Sequence, residues 1–159
     1  MKSPVTVTKS GPGLAQLVKD LNRITHSEVL VGIPAEKTMR KGDPINNASL
    51  MFVLSKGSPA RKIPATPILE PAIERNRELI APHLAASAKA VTEGRPDEAE
   101  RELERAGFVA SNAAKRFFMD PANGWPPNAP STIARKGSDR RNIDTGQLRR
   151  SIVHVVRHT

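Results

Sequence analysis

The period of apolar and polar positions changes several times along the chain, and each change predicts an element. Val5 and Val7 alternate with Thr6 and Thr8, the two-residue period of a short half-buried strand, before Gly11-Pro12-Gly13 interrupts it. Leu14, Leu17, Val18, Leu21 and Ile24 then recur at three- and four-residue spacing. That predicts a helix with one apolar stripe turned inward and Lys19, Asp20 and Arg23 facing solvent. The run from Glu28 to Ile33, closed by Pro34, is apolar and partly β-branched and predicts a central strand. Residues 35 to 43 have no apolar period and read as an exposed loop. Asn46 or Asn47 is placed to cap a short helix through Ala48, Leu50, Met51, Phe52 and Leu54, well covered by its neighbours and ending at Ser55-Lys56-Gly57.

Ser58 to Pro67 holds three prolines together with Arg61 and Lys62, which predicts a stiff extended linker. Beyond it, Leu69, Ile73, Ile80 and Leu84 share one face of a long helix that Pro82 should bend or split near Glu78. Gly94-Arg95-Pro96 ends that helix, and a second begins at Asp97 with Ala99, Leu103, Ala106, Ala110, Ala113 and Phe117 on its inner face. The two read as an antiparallel hairpin, close-packed because the facing residues are small. Residues 120 to 148 are loop-rich, with Ser131 as a candidate cap for a single helical turn. The run from Ile152 to Val156 predicts a closing strand. The whole is expected to be one α+β domain spanning 1–159. A small antiparallel sheet of three to four strands is covered by the N-terminal helix and the helical hairpin, with extended interaction loops at 35–67 and 120–148.

Composition narrows the chemistry. The 159 residues contain no cysteine, which excludes disulfides and thiol nucleophiles. Nothing at the N-terminus resembles a secretory h-region and no stretch approaches a membrane span, so synthesis in a cytoplasm is expected. The formal charge is +9, unevenly spread: residues 70–104 carry −4 and residues 131–159 carry +5. His26, His83, His154 and His158 show no ligand-like spacing; His154 and His158 lie about 13 Å apart on one strand face. Glu98 with Glu102 and Glu100 with Glu104 share helix faces, but Arg101 and Arg105 three residues on make a solvated, charge-laced face the better reading. No Walker-type loop and no nucleophile elbow is present, so no nucleophile, base and stabiliser can be assembled. The sequence therefore points away from an enzyme, and no cofactor or metal is expected. Arg135, Lys136, Arg140, Arg141, Arg149 and Arg150 cluster and are able to meet phosphates or an acidic protein. Trp125, the single tryptophan, suits a buried loop anchor and an interface hot spot equally.

Two segments carry a family resemblance. Gly124-Trp125-Pro126-Pro127-Asn128-Ala129-Pro130-Ser131-Thr132-Ile133-Ala134-Arg135-Lys136, continued by Ile143-Asp144-Thr145-Gly146-Gln147-Leu148-Arg149-Arg150-Ser151-Ile152, resembles the C-terminal signature of the virion morphogenesis, or tail-completion, proteins of long-tailed bacteriophages. Upstream, Val31-Gly32-Ile33-Pro34, the helix at Ala48 to Leu54, and Ile63-Pro64-Ala65-Thr66-Pro67-Ile68-Leu69-Glu70-Pro71-Ala72 follow the order of that family's "V-G-I-P", short helix and "I-P-A-R-P-F-L-x-P-A". Together they span a little under half the chain. Thr66 and Ile68 stand where the family has Arg and Phe, Asn128 where it often has Leu, and Leu54-Ser55-Lys56-Gly57 where it has "H-E-F-G".

The resemblance implies a structural virion protein of the phage neck or upper tail, which completes the tail and joins it to the head. It would be made in the host cytoplasm and retained in the particle. The implied partners are sister copies in a closed ring of roughly six or twelve, and neck proteins such as a head-tail adaptor and a tail terminator, with DNA nearby in the channel and no membrane. Subunit and ring contacts are expected from Arg61, Ile63, Pro64 and Pro67 in the first loop and from Trp125, Ile133, Arg135, Lys136, Asp144, Gly146 and Arg149 in the second. Both loops are expected to stiffen only when sister copies stack on them. The alternative is a basic DNA-binding phage assembly factor absent from the finished particle.

Overall fold

A computed structural model describes residues 13–34, 36 and 45–158. The expected strand at Val5 to Thr8, and all of the expected 35–43 loop except Glu36, lie outside them. The chain is α+β: α1 (Leu14–Thr25), β1 (Ser27–Gly32), α2 (Asn47–Lys56), α3 (Leu69–Arg75), α4 (Arg77–Thr92), α5 (Pro96–Phe117), α6 (Pro130–Lys136), α7 (Gln147–Ser151) and β2 (Val153–His158), with 3-10 turns at Pro59–Arg61 and Pro121–Asn123.

The scaffold is α5, 22 residues and about 33 Å long. Pro96 occupies its first turn, where a missing N–H does no harm, and Asp97 and Glu98 follow at the positive end of the helix dipole. Its predicted inner face holds throughout: Ala99, Leu103, Ala106, Ala110, Ala113 and Phe117 are all buried. Helix α4 folds back along it after a turn at Gly94, which adopts φ +71°. Three small core clusters line α5. Ala90, Val91 and Ala99 lie near its start; Ile80, Ala106 and Ala110 form the middle; and Met51, Ile68, Ala72, Ala114, Phe117, Phe118, Leu148 and Ile152 make the largest, at its C-terminal end.

The sheet has two strands among the described residues, not three or four. β1 pairs antiparallel with β2, from Ser27 opposite His158 to Gly32 opposite Val153. The third strand the alternation suggested falls outside the described residues. α5, not α1, covers the sheet, and α1 packs on α4. This reverses the expectation for the α1 stripe: Leu14 is 77% exposed, Val18 48% and Leu21 36%, whereas Asp20 is buried and accepts a 2.8 Å hydrogen bond from Gln16 Nε2. Helical period says which residues share a face, not what meets that face.

The long helix breaks at Asn76, two residues before the expected point, into α3 and α4. Asn76 Nδ2 donates to Ala72 O at 2.8 Å, closing α3 while Pro82 is accommodated inside α4. Leu84 turns out 43% exposed instead of joining that stripe. Asn46 is the cap of α2, accepting from Ser49 N at 2.8 Å, but Phe52 is 65% exposed and the helix is only half covered. α6 begins at Pro130 and not behind a Ser131 cap, and α7 is a further short helix the sequence did not announce.

Candidate functional site between the two arms

The extended linker is not fully extended. Ser58 and Ile63 form an antiparallel bridge around the Pro59–Arg61 turn, with Lys62 in the left-handed region at φ +54°. The bridge can seat against the end of α2 only because position 57 is glycine. Its φ is +74°, and a Cβ there would lie 2.8 Å from Ala65 N and 2.9 Å from Ile63 O. From Pro64 to Pro67 the chain has no regular secondary structure.

Within a single chain the second arm folds onto the described part of the first. Thr66 is fully buried at the seam: its N–H and Oγ1 both donate to Leu54 O, at 2.7 and 3.2 Å, and Oγ1 accepts from Asn142 Nδ2 at 2.9 Å. Thr66 therefore joins the arms. Trp125 stands edge-on to Phe117 and Phe118, with centroids 5.6 and 6.1 Å away, and its Nε1 donates to Pro67 O at 3.3 Å. Within the chain these contacts anchor the loop. Arg141 Nη1 donates to Pro126 O and Pro127 O, both at 2.7 Å, and Asn128 Nδ2 to Asp139 O at 2.6 Å.

Seven of the expected contact residues, Arg61, Ile63, Pro64, Arg135, Lys136, Asp144 and Gly146, come together around one cleft of about 600 Å³ between the arms. Trp125 and Ile133 instead line a neighbouring depression with Phe118, Met119 and Arg140. Pro67 is held by Trp125, and Arg149 is spent inside the fold, its Nε donating to Lys115 O at 2.9 Å. Gly146 has the positive φ the turn needs, +75°, and the turn acceptor is Thr145 Oγ1, taking the Gln147 N–H at 3.4 Å.

Two cations absent from the expected set, Lys62 and Arg141, also reach the cleft. Among the described residues, five cationic side chains thus face it against one carboxylate, Asp144. Burial holds the Lys136 ammonium below the ordinary lysine range; Asp144 pulls it back up, while Arg135 and Arg141 lower it further. Burial likewise lowers the Arg141 guanidinium, whose Nε is enclosed without a hydrogen-bond acceptor among the described residues. The lining also has aliphatic members, Leu50, Leu54, Ile63, Pro64 and Leu148. Not all of the basic cluster is available, since Arg150 Nη2 donates to Thr145 O at 3.0 Å and Arg140 lies on the other depression. Asn142 is the clue the sequence held, because asparagine is the residue besides glycine that best tolerates the left-handed turn it takes at φ +57°.

At the other end of α5 the histidines do have carboxylate partners, which sequence spacing did not reveal. His83 Nδ1 lies 2.7 Å from Glu102 Oε2, His154 Nε2 lies 2.8 Å from Glu104 Oε2, and His158 Nε2 lies 3.1 Å from Glu100 Oε1. Each carboxylate faces a separate histidine. No helix among the described residues is long and apolar enough to cross a membrane. No family model, curated protein or solved structure matches the chain.

Proposed function

We propose that this chain is a non-enzymatic structural protein of a tailed-phage particle. It would act as a ring-forming subunit of the neck or upper tail that completes the tail and joins it to the head. One observation carries the reading. The two segments that resemble tail-completion proteins, far apart in sequence, fold against each other and build one surface feature, the basic cleft between the arms. Motifs kept for a shared catalytic task would be expected to bring a nucleophile or a general base together; these bring prolines, a turn glycine and cations. The exposed stripe of α1, Leu14, Val18 and Leu21, supplies unpaired apolar surface of the kind a subunit contact covers.

Mass analysis of purified virions together with electron microscopy of the isolated protein tests this. A fixed small number of copies per particle and closed rings in solution are expected. A protein that stays monomeric at every concentration and is missing from particles rules the proposal out. The charge of +9 favours a second reading, the assembly factor that binds DNA and leaves. That reading requires duplex binding by the monomer with a steep fall in affinity as salt rises.

A further inference from the structure

From the shape and charge of the cleft we infer that it is a receptor for an acidic peptide segment of another protein, one in which carboxylates flank at least one branched apolar side chain. The size fits: about 600 Å³ is in the range of sites that hold a small molecule or a few side chains. The chemistry is mixed. Arg61 and Lys62 on the bridge turn and Arg135 and Lys136 at the end of α6 share the lining with aliphatic residues that include Leu54 and Ile63. The side chains of Arg61, Lys62 and Arg135 make no hydrogen bond or ion pair among the described residues, so their charges are open to a partner. Carboxylates relieve the mutual repulsion of the cations, and an apolar side chain against Leu54 and Ile63 removes aliphatic surface from water.

Two other occupants fit less well. Nucleic acid would gain from stacking, but the lining contains no aromatic residue, and Trp125 is used in packing on Phe117 and Phe118. A second copy would have to offer acidic groups, and Glu93, Glu98, Glu100, Glu102 and Glu104 are already engaged at home. Arg95 holds Glu93 and Glu98, Arg105 and His83 hold Glu102, Arg23 and His158 hold Glu100, and His154 holds Glu104. The inference does not require the ring. Rings that form without peptide binding overturn it alone, and peptide binding by a protein that never forms rings overturns only the proposed function.

The test is fluorescence anisotropy of the full chain with a labelled twelve-residue peptide of glutamate and aspartate around two leucines. Its competitors are the same peptide with glycine for leucine, an all-glutamate peptide, and oligothymidylate of equal length. Specific, salt-sensitive binding is expected. It should weaken at least about tenfold in the double variant Arg61→Glu/Arg135→Glu and be retained in Arg61→Lys/Arg135→Lys, both variants melting like the parent. Equal binding of the glycine peptide or of oligothymidylate overturns the inference, because the cleft would then be only a polyanion surface. So do absence of binding and self-association that the charge-reversed variant abolishes, the latter making a second copy the occupant.

Discussion

Gly107 lies in the middle of α5, where glycine costs roughly 0.5–1 kcal/mol relative to alanine. It is tolerated because β2 crosses the helix there. A Cβ at position 107 would stand 2.4 Å from Cδ2, 2.7 Å from Cγ and 3.0 Å from Cβ of His154. The ring can swing aside only by giving up its 2.8 Å contact with Glu104, and the His154 Cβ is tied to the strand backbone. Overpacking of this kind costs about 1–3 kcal/mol. Set against the helix gain, Gly107→Ala should destabilise the native chain by about 0–2.5 kcal/mol. With His154→Ala the ring contacts vanish and only the 3.0 Å approach remains, which a small shift relieves. In that background the same substitution should be neutral or stabilising by up to about 1 kcal/mol. Urea unfolding of the four corners of the cycle, at constant m-value, measures the coupling. A coupling below about 0.5 kcal/mol would mean that β2 does not approach α5 this closely, and the account of how the sheet is seated would be wrong.

Other substitutions probe the seam and the acidic end. Thr66→Val keeps the shape but leaves Asn142 Nδ2 without its acceptor, and should cost about 1–3 kcal/mol. Hydrogen exchange should quicken in both arms together, and a response confined to one arm would show that they are not joined at Thr66. Trp125→Ala removes two edge-on ring contacts and the bond to Pro67 O. We expect a loss of about 2–3 kcal/mol, since the side chain is only half buried, with Trp125→Phe recovering most of it; unchanged thermal stability would return Trp125 to an interface role. The hydrogen bond with His83, opposed by burial and helped by Arg105, holds the Glu102 carboxyl below the usual range. Because the folded value is depressed, its contribution is present above the unfolded glutamate pKa of about 4.3 and is lost as acid carries the pH down through the folded value. Glu102→Gln should therefore flatten the acid limb of stability measured by urea midpoint, and an unaltered limb would assign acid sensitivity to other groups.

What the sequence revealed of this fold follows a physical divide. α5 was legible because its inner face repeats over 22 residues and meets α4 across a three-residue turn, so period and partner are both local. The α1 stripe was equally periodic and equally visible, but its burial depended on a distant element, and of its residues Ile24 packs on the cluster of Ala90, Val91 and Ala99 while Leu14, Val18 and Leu21 stay exposed. The histidine–glutamate contacts join positions 19, 50 and 58 residues apart, and Thr66 meets Asn142 across 76; no spacing rule encodes such pairs. α7, at five residues, is too short to show a helical period at all. The cleft was half legible. Its arms were recognisable from proline, glycine and motif order, and most of its cations were named. That these residues face one cavity depends on the Gly57 joint and on Trp125 reaching Pro67, which are tertiary facts.

The two ends of α5 are built on opposite electrostatic principles. At the acidic end, Glu98, Glu100, Glu102 and Glu104 are each matched by a histidine or arginine, so charge is used to hold the fold together. At the basic end the cations that line the cleft are almost unmatched. The arms that carry them are secured by the Thr66 hydroxyl, by the ring cluster of Phe117, Phe118 and Trp125 with its bond to Pro67 O, and by Arg141 and Lys136, which donate to backbone carbonyls of the second arm. Like charges placed together weaken a fold unless something relieves them, and an unfavourable local arrangement that the rest of the structure is built to withstand is where function is expected. Arg61, Lys62 and Arg135 matter for that reason: their side chains take no part in fixing the arms, so their charges are open to anything that enters between them.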